Sequence, residues 1–448
     1  MIRASEACAQ IREVALGRTL GSESVPLSEL AGRRLAEDLL SQECVPHWDN
    51  SAMDGFAVCA DWTQSATATN GVRLPVSASI VAGDSGSLQD RPGERFAVEI
   101  MTGAPLPHGP WDSIVKIEEV QVLKGVDGAP SEIVISKPAK KGDFVRYQGE
   151  DFAIGQLVAS KGMLVTPDFI LAFAALGIHR AQVFRKPRVA VLSTGRELVN
   201  AHEPLLRPGM IRNSTAPYLE AALPALGAEY KWYGTIEDDP EAFKRALMVI
   251  LADSPDVVLT TGAVSMGKHD FVREALESMG ARTHFHKMAI RPGKPLLFSE
   301  FQNGPVIFGV PGNPISTAVG LRFFVTPYLR ALARLEKERP IRAKLFKNAP
   351  KPEGLRCYFK ARLDLTESGS WVEALAGQGS ALLGPLLQAN AWVEFPEEGS
   401  QMSQGEWVDV HPLFPSDKPW VFSSHSNDSS MMDPKLTPRE IPVQKGCC

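Results

Sequence analysis

Asp256-Val257-Val258-Leu259-Thr260-Thr261-Gly262-Ala263-Val264-Ser265-Met266-Gly267-Lys268-His269-Asp270 runs from a short apolar stretch straight into a small-residue turn and a helix start. A β-branched run that stops at glycine is the pattern of a buried strand ending in a turn. Val189-Ala190-Val191-Leu192 reads as another such strand, and Tyr218 to Leu226 as a helix with a kink at Pro224. Asp239-Pro240 opens the next helix, with Asp239 as N-cap and Pro240 in the first helical position. Phe271 to Met279 is a helix ended by Gly280, and Ile315 to Leu335 a long helix. Strands and helices that alternate this way predict a doubly wound, mixed or parallel α/β domain over residues 186–335. Ligands of such sheets lie beyond the carboxyl ends of the strands.

Two further loops share the character of the first. Arg291-Pro292-Gly293-Lys294-Pro295 precedes Leu296-Leu297-Phe298, and Pro311-Gly312-Asn313-Pro314-Ile315-Ser316 follows Val306-Ile307-Phe308. Glycine turns and helix starts offer backbone N–H groups to an anion, here with Gly262, Ser265 and Gly267 in the first loop. Arg291 and Lys294 add fixed positive charge on a loop that flanking prolines stiffen. Asn313 has the position of a cap for the helix beginning at Pro314, and Ser316 lies in its first turn. Together the loops suggest a doubly charged oxyanion or a nucleotide.

If the ligand is a pyrophosphate, a divalent metal is required to neutralise charge as a P–O bond breaks. Glu197, Asp238, Asp239 and Asp270 stand next to the expected strand ends. Mg²⁺ takes one or two carboxylates plus substrate oxygens and water, so the supply suffices. Asp239 and Asp270 also stand where N-caps belong, which leaves a purely structural role open for each.

The chain has 448 residues, 44% hydrophobic and 22% charged, as in soluble globular proteins of more than one domain. A net charge of −5 argues against non-specific nucleic-acid binding, so any anion site is a local cluster. No signal peptide is legible, and the longest apolar stretch, Phe169 to Ile178, is about half the ~20 residues of a membrane span. Six cysteines in so long a chain are no disulfide framework, and the cytoplasm is the expected compartment.

Residues 1–45 read as two helices, an amphipathic start (Ala4, Ala7, Cys8, Ile11, Val14, Ala15) and a second run from Leu27 to Leu40. Residues 46–145 switch to short alternating runs such as Val72–Val76, Phe96–Ile100 and Ile133–Ile135, separated by Gly and Pro, which is a small β domain. Pro167 to Leu176 returns to helix, closed by Gly177. The β domain is thus inserted into a helical and linker domain made of 1–45 and 146–185. Residues 336–414 revert to strands (Arg356–Leu363, Trp371–Ala374, Ala391–Phe395, Trp407–Val410), a small barrel or sandwich. Residues 415–448 lack periodicity and are expected to be a disordered tail, with Cys447 and Cys448 as free thiols.

Two polar turns in the β domain remain: Asn50-Ser51-Ala52-Met53-Asp54-Gly55 and Met101-Thr102-Gly103-Ala104-Pro105. On composition they read as turns, with Asp54-Gly55 as a hairpin corner.

In this order and spacing, these turns resemble one known family. Arg146 with Gly149-Glu150-Asp151, Ser193-Thr194-Gly195 with Glu197-Leu198, Asp238-Asp239-Pro240 and the three glycine loops complete the match, which runs from about residue 5 to 413. The chain resembles the MoeA family of molybdopterin molybdenumtransferases, whose eukaryotic relatives include the E domain of gephyrin. The resemblance implies an elongated four-domain homodimer whose central α/β domain is MogA-like. It implies an enzyme that binds adenylylated molybdopterin and molybdate, cleaves the pyrophosphate with Mg²⁺, and inserts the metal into the dithiolene with release of AMP. It also implies transient contact with the molybdopterin adenylyltransferase, and no nucleic-acid or membrane partner.

By the same resemblance, Asp54, Thr102, Glu197 and Asp270 are catalytic. Glu197, Asp238, Asp239 and Asp270 surround the pterin phosphate and Mg²⁺. Lys287, Arg291 and Lys294 contact anions, and Ser316, Arg356 and Ser380 contact the oxyanion. Arg291 stands where lysine is commoner and exchanges a point charge for a fork. Ala263 replaces the second glycine of a Gly-Gly-Val-Ser loop, Arg196 replaces an acid, and Asn213-Ser214-Thr215 departs from a Ser/Thr-Asn pattern. These differences bear on efficiency and on the choice between molybdate and tungstate. Two alternative readings are molybdopterin adenylyl transfer, on a related α/β domain, and a dimeric scaffold that holds a partner peptide.

Overall fold

The structure, a computed structural model, describes residues 1–415 apart from 89, 90, 92, 127, 265–270 and 368. The chain forms two compact units. One comprises Met1–Arg18, Pro187–Leu332 and the described residues from 336 onward; the other comprises Thr19–Lys186 with Ala333–Leu335.

The first unit is built on a six-stranded sheet. In chain order its strands are β1 (Arg188–Thr194), β2 (Glu229–Ile236), β3 (Val257–Thr261), β4 (Arg282–His286), β5 (Leu297–Glu300) and β6 (Val306–Val310). Their spatial order is β2-β1-β3-β6-β5-β4. The first four are mutually parallel, and β5 and β4 close the edge antiparallel. β1, β3 and β6 are buried along nearly their whole length, the reason each reads as a continuous apolar run rather than an alternating one. The expected helices are present as Thr215–Ala225, Pro240–Ala252 and Val272–Ser278. Pro224 falls in the last turn of the first of these and ends it rather than kinking its middle. The expected long helix runs from Pro314 to Leu332 and widens into a π turn over Leu321–Val325. There the Thr326 hydroxyl donates to the Leu321 carbonyl at 2.8 Å, five residues back.

The amphipathic start is the helix Ala4–Leu16, which buries Ala4, Ala7, Ile11 and Ala15. It belongs to this first unit, apart from the residues that follow it in sequence. The C-terminal strands Ile341–Leu345, Arg356–Thr366, Gly369–Ala374, Ala391–Phe395 and Trp407–Pro412 form a closed five-stranded barrel. Closure comes from Arg356–Thr366, which pairs with Gly369–Ala374 on one side and Ala391–Phe395 on the other. Its core is Phe359, Leu363, Val372, Val393, Phe395 and their neighbours. The segment 416–448, expected to be disordered and including Cys447 and Cys448, lies outside the described residues.

In the second unit, the β domain is a six-stranded sheet ordered Ser113–Lys116, Gly55–Val58, Ala97–Ile100, Val72–Ile80, Pro130–Ile135, Val120–Lys124. The second helix expected over Leu27–Leu40 does not form. The segment has a single 3₁₀ turn, Leu27–Glu29, and then lies extended. Gly32 takes a left-handed φ of 81° that breaks the helical path. The backbone is instead laced to neighbouring chain through Gly32 N–Val165 O (2.8 Å), Leu35 N–Met163 O (3.1 Å) and Ala36 N–Gln182 O (2.8 Å). Leu30 and Leu35 are still buried, so the apolar periodicity served a β-like ribbon instead of a helix. The helix Pro167–Ala175 forms as expected, and Gly177 follows it with a φ of 66°. Among the described residues no helix is long and apolar enough to cross a membrane.

Candidate functional site

At the carboxyl ends of β1 and β3 the sheet finishes in hydroxyls rather than hydrocarbon, with Thr235 beside them near the end of β2. Ser193 Oγ and Thr261 Oγ1 are 2.7 Å apart, and Asn213 Nδ2 donates to Ser193 Oγ at 3.0 Å. Thr215 Oγ1 donates to Asn213 Oδ1 at 3.0 Å, and the same oxygen accepts the Ala216 N–H at 3.1 Å. Asn213, buried at the sheet end, thus takes a free N–H of the first turn of the helix beginning at Thr215, whose N-cap residue Ser214 makes no side-chain cap bond. Sequence reading noted Asn213-Ser214-Thr215 as a departure and missed this network. Ser, Thr and Asn clustered at strand ends were its signal.

On this platform the glycine loops converge. The Gly262 N–H donates to Val310 O at 3.1 Å. Gly262 has a φ of 91°, and a Cβ there would stand 2.4 Å from Thr194 O; one on Gly312 would stand 3.5 Å from Gly262 Cα. A Cβ on Gly293 would be 3.7 Å from Ser316 O. The three loops that sequence analysis singled out thus lie against one another, and at Gly262 the backbone approach is one that only glycine permits. The first loop carries strain beside this contact: Ala263 adopts a φ of 50°. A left-handed alanine costs about 1 kcal/mol relative to glycine. Ala263→Gly is expected to raise the unfolding free energy by about 1 kcal/mol, read as a higher denaturant midpoint at constant m. A lower midpoint would show that the alanine methyl is packing usefully.

Glu197 and Asp238 follow adjacent strand ends, since Thr194 pairs with Ile236 in register. Glu197 reaches back over Gly195, where a Cβ would meet its carboxylate at 2.9 Å. Neither carboxylate has a hydrogen-bond or ion-pair partner among the described residues. Asp239 does: its Oδ2 accepts the Ala242 N–H at 2.7 Å, the N-cap bond foreseen for it. Ser265, Gly267 and Asp270 lie outside the described residues. Among those described, no group of three His, Cys, Asp or Glu side chains is placed to hold a metal ion. Glu197 and Asp238 fit a site that borrows substrate oxygens and water, as Mg²⁺ sites commonly do.

The loop carrying the positive charges is pinched shut by Lys287 N–Leu296 O (3.0 Å) and Met288 N–Lys294 O (2.8 Å). Arg291 and Lys294 are exposed on it, Lys287 takes a left-handed φ of 79°, and the Arg291–Pro292 bond is cis. Ile290 and Arg291 pair in parallel with Arg356 and Cys357, which ties the loop to the barrel. Asn313 makes no side-chain capping bond; its carbonyl accepts the Thr317 N–H at 3.0 Å. The Ile315 N–H is spent on the Ser380 carbonyl at 3.0 Å, which brings the Ser380 loop against Ser316, itself buried. Arg356 is also at this seam, but its guanidinium is engaged: Nη1 donates to Glu394 Oε1 at 2.6 Å and Nη2 to Glu397 Oε2 at 2.9 Å. Burial works against its charge, yet the two carboxylates more than offset this and hold its pKa above the ordinary guanidinium value. An oxyanion at Arg356 would have to share it with both.

In the second unit, Asp54 Oδ1 accepts from the Thr102 N–H at 2.7 Å and from its hydroxyl at 2.8 Å. The two turns picked out by resemblance are one constellation. Gly55 is no hairpin corner; it opens a buried strand, where a Cβ would sit 2.1 Å from Val115 O. The Thr102 backbone bond, with the hydroxyl bond behind it, holds the Asp54 carboxyl below its ordinary value of 3.8. A depressed carboxyl stabilises the fold above its unfolded pKa, and that contribution is lost as pH falls through the folded value. Thr102→Val removes one of the two bonds. NMR titration should then show Asp54 moving up toward 3.8 with a weaker acid dependence of stability; an unmoved titration would assign the shift elsewhere.

Three family models account for most of the chain. They are the MoeA N-terminal region (domains I and II) over residues 2–177, a probable molybdopterin-binding domain over 190–331, and the MoeA C-terminal region (domain IV) over 342–413. The chain is 41% identical over 397 residues to the molybdopterin molybdenumtransferase of Synechococcus elongatus, covering 88% of this chain and 95% of that protein. It is 31% identical over 395 residues to that of Staphylococcus aureus strain MRSA252, covering 88% and 91%. Among solved structures, two molybdopterin biosynthesis MoeA proteins from Pyrococcus horikoshii superpose with TM-scores of 0.77 and 0.74. Their sequence identities are 32% and 26%, over 92% of this chain and 99% and 100% of theirs. With its three regions matched in order and its relatives covered almost end to end, this chain belongs to the MoeA family of molybdopterin molybdenumtransferases.

Proposed function

We propose that this chain carries out the molybdenum-insertion step of molybdenum cofactor biosynthesis: it takes adenylylated molybdopterin and molybdate, cleaves the pyrophosphate, releases AMP and passes the metal to the dithiolene. The observation that carries this reading is the convergence of the Gly262, Gly293 and Gly312–Ser316 loops at the carboxyl ends of parallel strands, beside two carboxylates that have no partner among the described residues. Anion cradles at strand ends suit a pyrophosphate and a tetrahedral dianion alike. Mg²⁺, held by Glu197 and Asp238 with Asp270, would neutralise charge on the departing phosphate. Asp239 is committed to its cap and contributes negative field rather than a ligand.

Arg291, Lys294 and Lys287 attract and orient the anionic ends of the substrates. Ser316 and Ser380 offer hydroxyls to the oxyanion, with Arg356 behind them as shared charge. Asp54, held by Thr102, has a catalytic role of its own in the β domain, and the enzyme works as a homodimer in the cytoplasm. Transient contact with the molybdopterin adenylyltransferase would deliver the labile adenylylated substrate. The Asp54–Thr102 pair and the barrel would be superfluous to adenylyl transfer alone, which favours insertion. The test is to incubate the full chain with adenylylated molybdopterin, Mg²⁺ and molybdate and measure AMP. Release that molybdate does not stimulate would sink the proposal.

A further inference from the structure

Lys360 lies in the barrel strand Arg356–Thr366 and is fully buried, an unusual fate for a lysine. Its ammonium donates to three backbone carbonyls of one short loop: Gly377 O at 2.8 Å, Leu382 O at 3.0 Å and Gly379 O at 3.3 Å. No carboxylate among the described residues pairs with it. Burial alone pushes its pKa down, so the carbonyls, rather than a counter-charge, make the ammonium tolerable there. The same loop is fastened a second time. Gln378 Oε1 accepts the Lys360 N–H at 2.9 Å, and Gln378 Nε2 donates to the Lys360 carbonyl at 2.8 Å.

The loop so held includes Ser380, whose carbonyl takes the Ile315 N–H at the start of the helix carrying Ser316. An ordinary turn of this length needs no buried charge. An ammonium supplies three tetrahedral donors from one atom, enough to fix carbonyls on both sides of residue 380. With no carboxylate partner among the described residues, its positive charge also favours an anion near the loop.

We propose that Lys360 is a positioning residue for oxyanion binding: its buried ammonium holds the 377–382 loop so that the Ser380 carbonyl meets the Ile315 N–H, at the start of the helix that carries Ser316. This rests on the reading of Ser380 as an oxyanion contact. Lys360→Met in the full chain tests it by two independent measurements. Hydrogen–deuterium exchange should quicken at least tenfold in 377–382, with the rest of the barrel unchanged. The KM for molybdate should rise about tenfold or more, while kcat at saturating molybdate stays within about threefold. Adding Lys360→Met to Ser380→Ala should change the KM little further. Unchanged exchange in 377–382, or fully additive effects with Ser380→Ala, overturns the proposal. If wild-type protein shows no molybdate-dependent turnover, the functional reading fails, and exchange still decides whether Lys360 holds the loop. Should Lys360→Met not fold, Gln378→Ala removes the loop's second tether without touching the charge; it should give the same split in smaller degree, and its absence would be equally fatal.

Discussion

Glu197→Gln together with Asp238→Asn is expected to lower molybdate-stimulated AMP release by roughly 10³-fold while leaving the melting temperature within about 2 °C. Each change swaps a carboxylate for an amide of the same shape. Neither carboxylate bonds to any described residue, so no contact among the described residues is lost. What disappears is negative charge at two neighbouring strand ends, where Thr194 and Ile236 lie in register. If that charge holds a divalent cation against the pyrophosphate, its removal costs roughly 4 kcal/mol of transition-state stabilisation. Excess Mg²⁺ should restore part of the activity of each single variant and little of the double. The contrasting variant is Asp239→Ala, which loses the 2.7 Å bond to the Ala242 N–H and about 1 kcal/mol of stability, with turnover largely kept. Turnover that survives the double substitution but collapses in Asp239→Ala would reverse these assignments.

Gly262→Ala is expected to destabilise the first unit by roughly 3 kcal/mol and to abolish activity. Two costs add. The φ of 91° is unfavourable for any residue with a side chain, and the new methyl would sit 2.4 Å from Thr194 O and 2.8 Å from Thr194 Oγ1. The first obstacle is backbone, which cannot swing aside, and Thr194 ends a buried strand. Gly312→Ala is the control. Its methyl would rest 3.5 Å from Gly262 Cα in ordinary contact, and its φ lies outside the left-handed region, so it should cost less than about 1 kcal/mol. Equal denaturant midpoints for the two variants would mean that the loop relaxes, and that its close approach is not what fixes the site.

The α/β domain was legible because its signals are local. Buried parallel strands are continuous apolar runs, and Asp239-Pro240 and Gly280 mark their own helix ends. The Leu27–Leu40 segment was misread for the opposite reason. Its leucines do recur at helical spacing, but its backbone partners are more than a hundred residues away in sequence, at 163–165 and 182, and only Gly32 hinted at the break. The site divides similarly. Glycine loops and unpaired acids could be found by position and chemistry. The hydroxyl network of Ser193, Asn213, Thr215 and Thr261 could not, because each member looks like ordinary turn or strand chemistry until the fold stacks them. Resemblance singled out Asp54 and Thr102 separately, and only the structure pairs them, since two separate turns carry no mark of sharing hydrogen bonds.

The parallel pairing of Ile290–Arg291 with Arg356–Cys357 makes the barrel a splint for the charged loop. A chain cut before residue 341 would forfeit Arg356 and Ser380, and it would also release Arg291 from the rail that fixes its backbone. The α/β domain of such a chain should therefore keep its sheet while its cationic loop slackens. Shortening this protein from the C-terminal side trades away alignment at the site before it trades away fold.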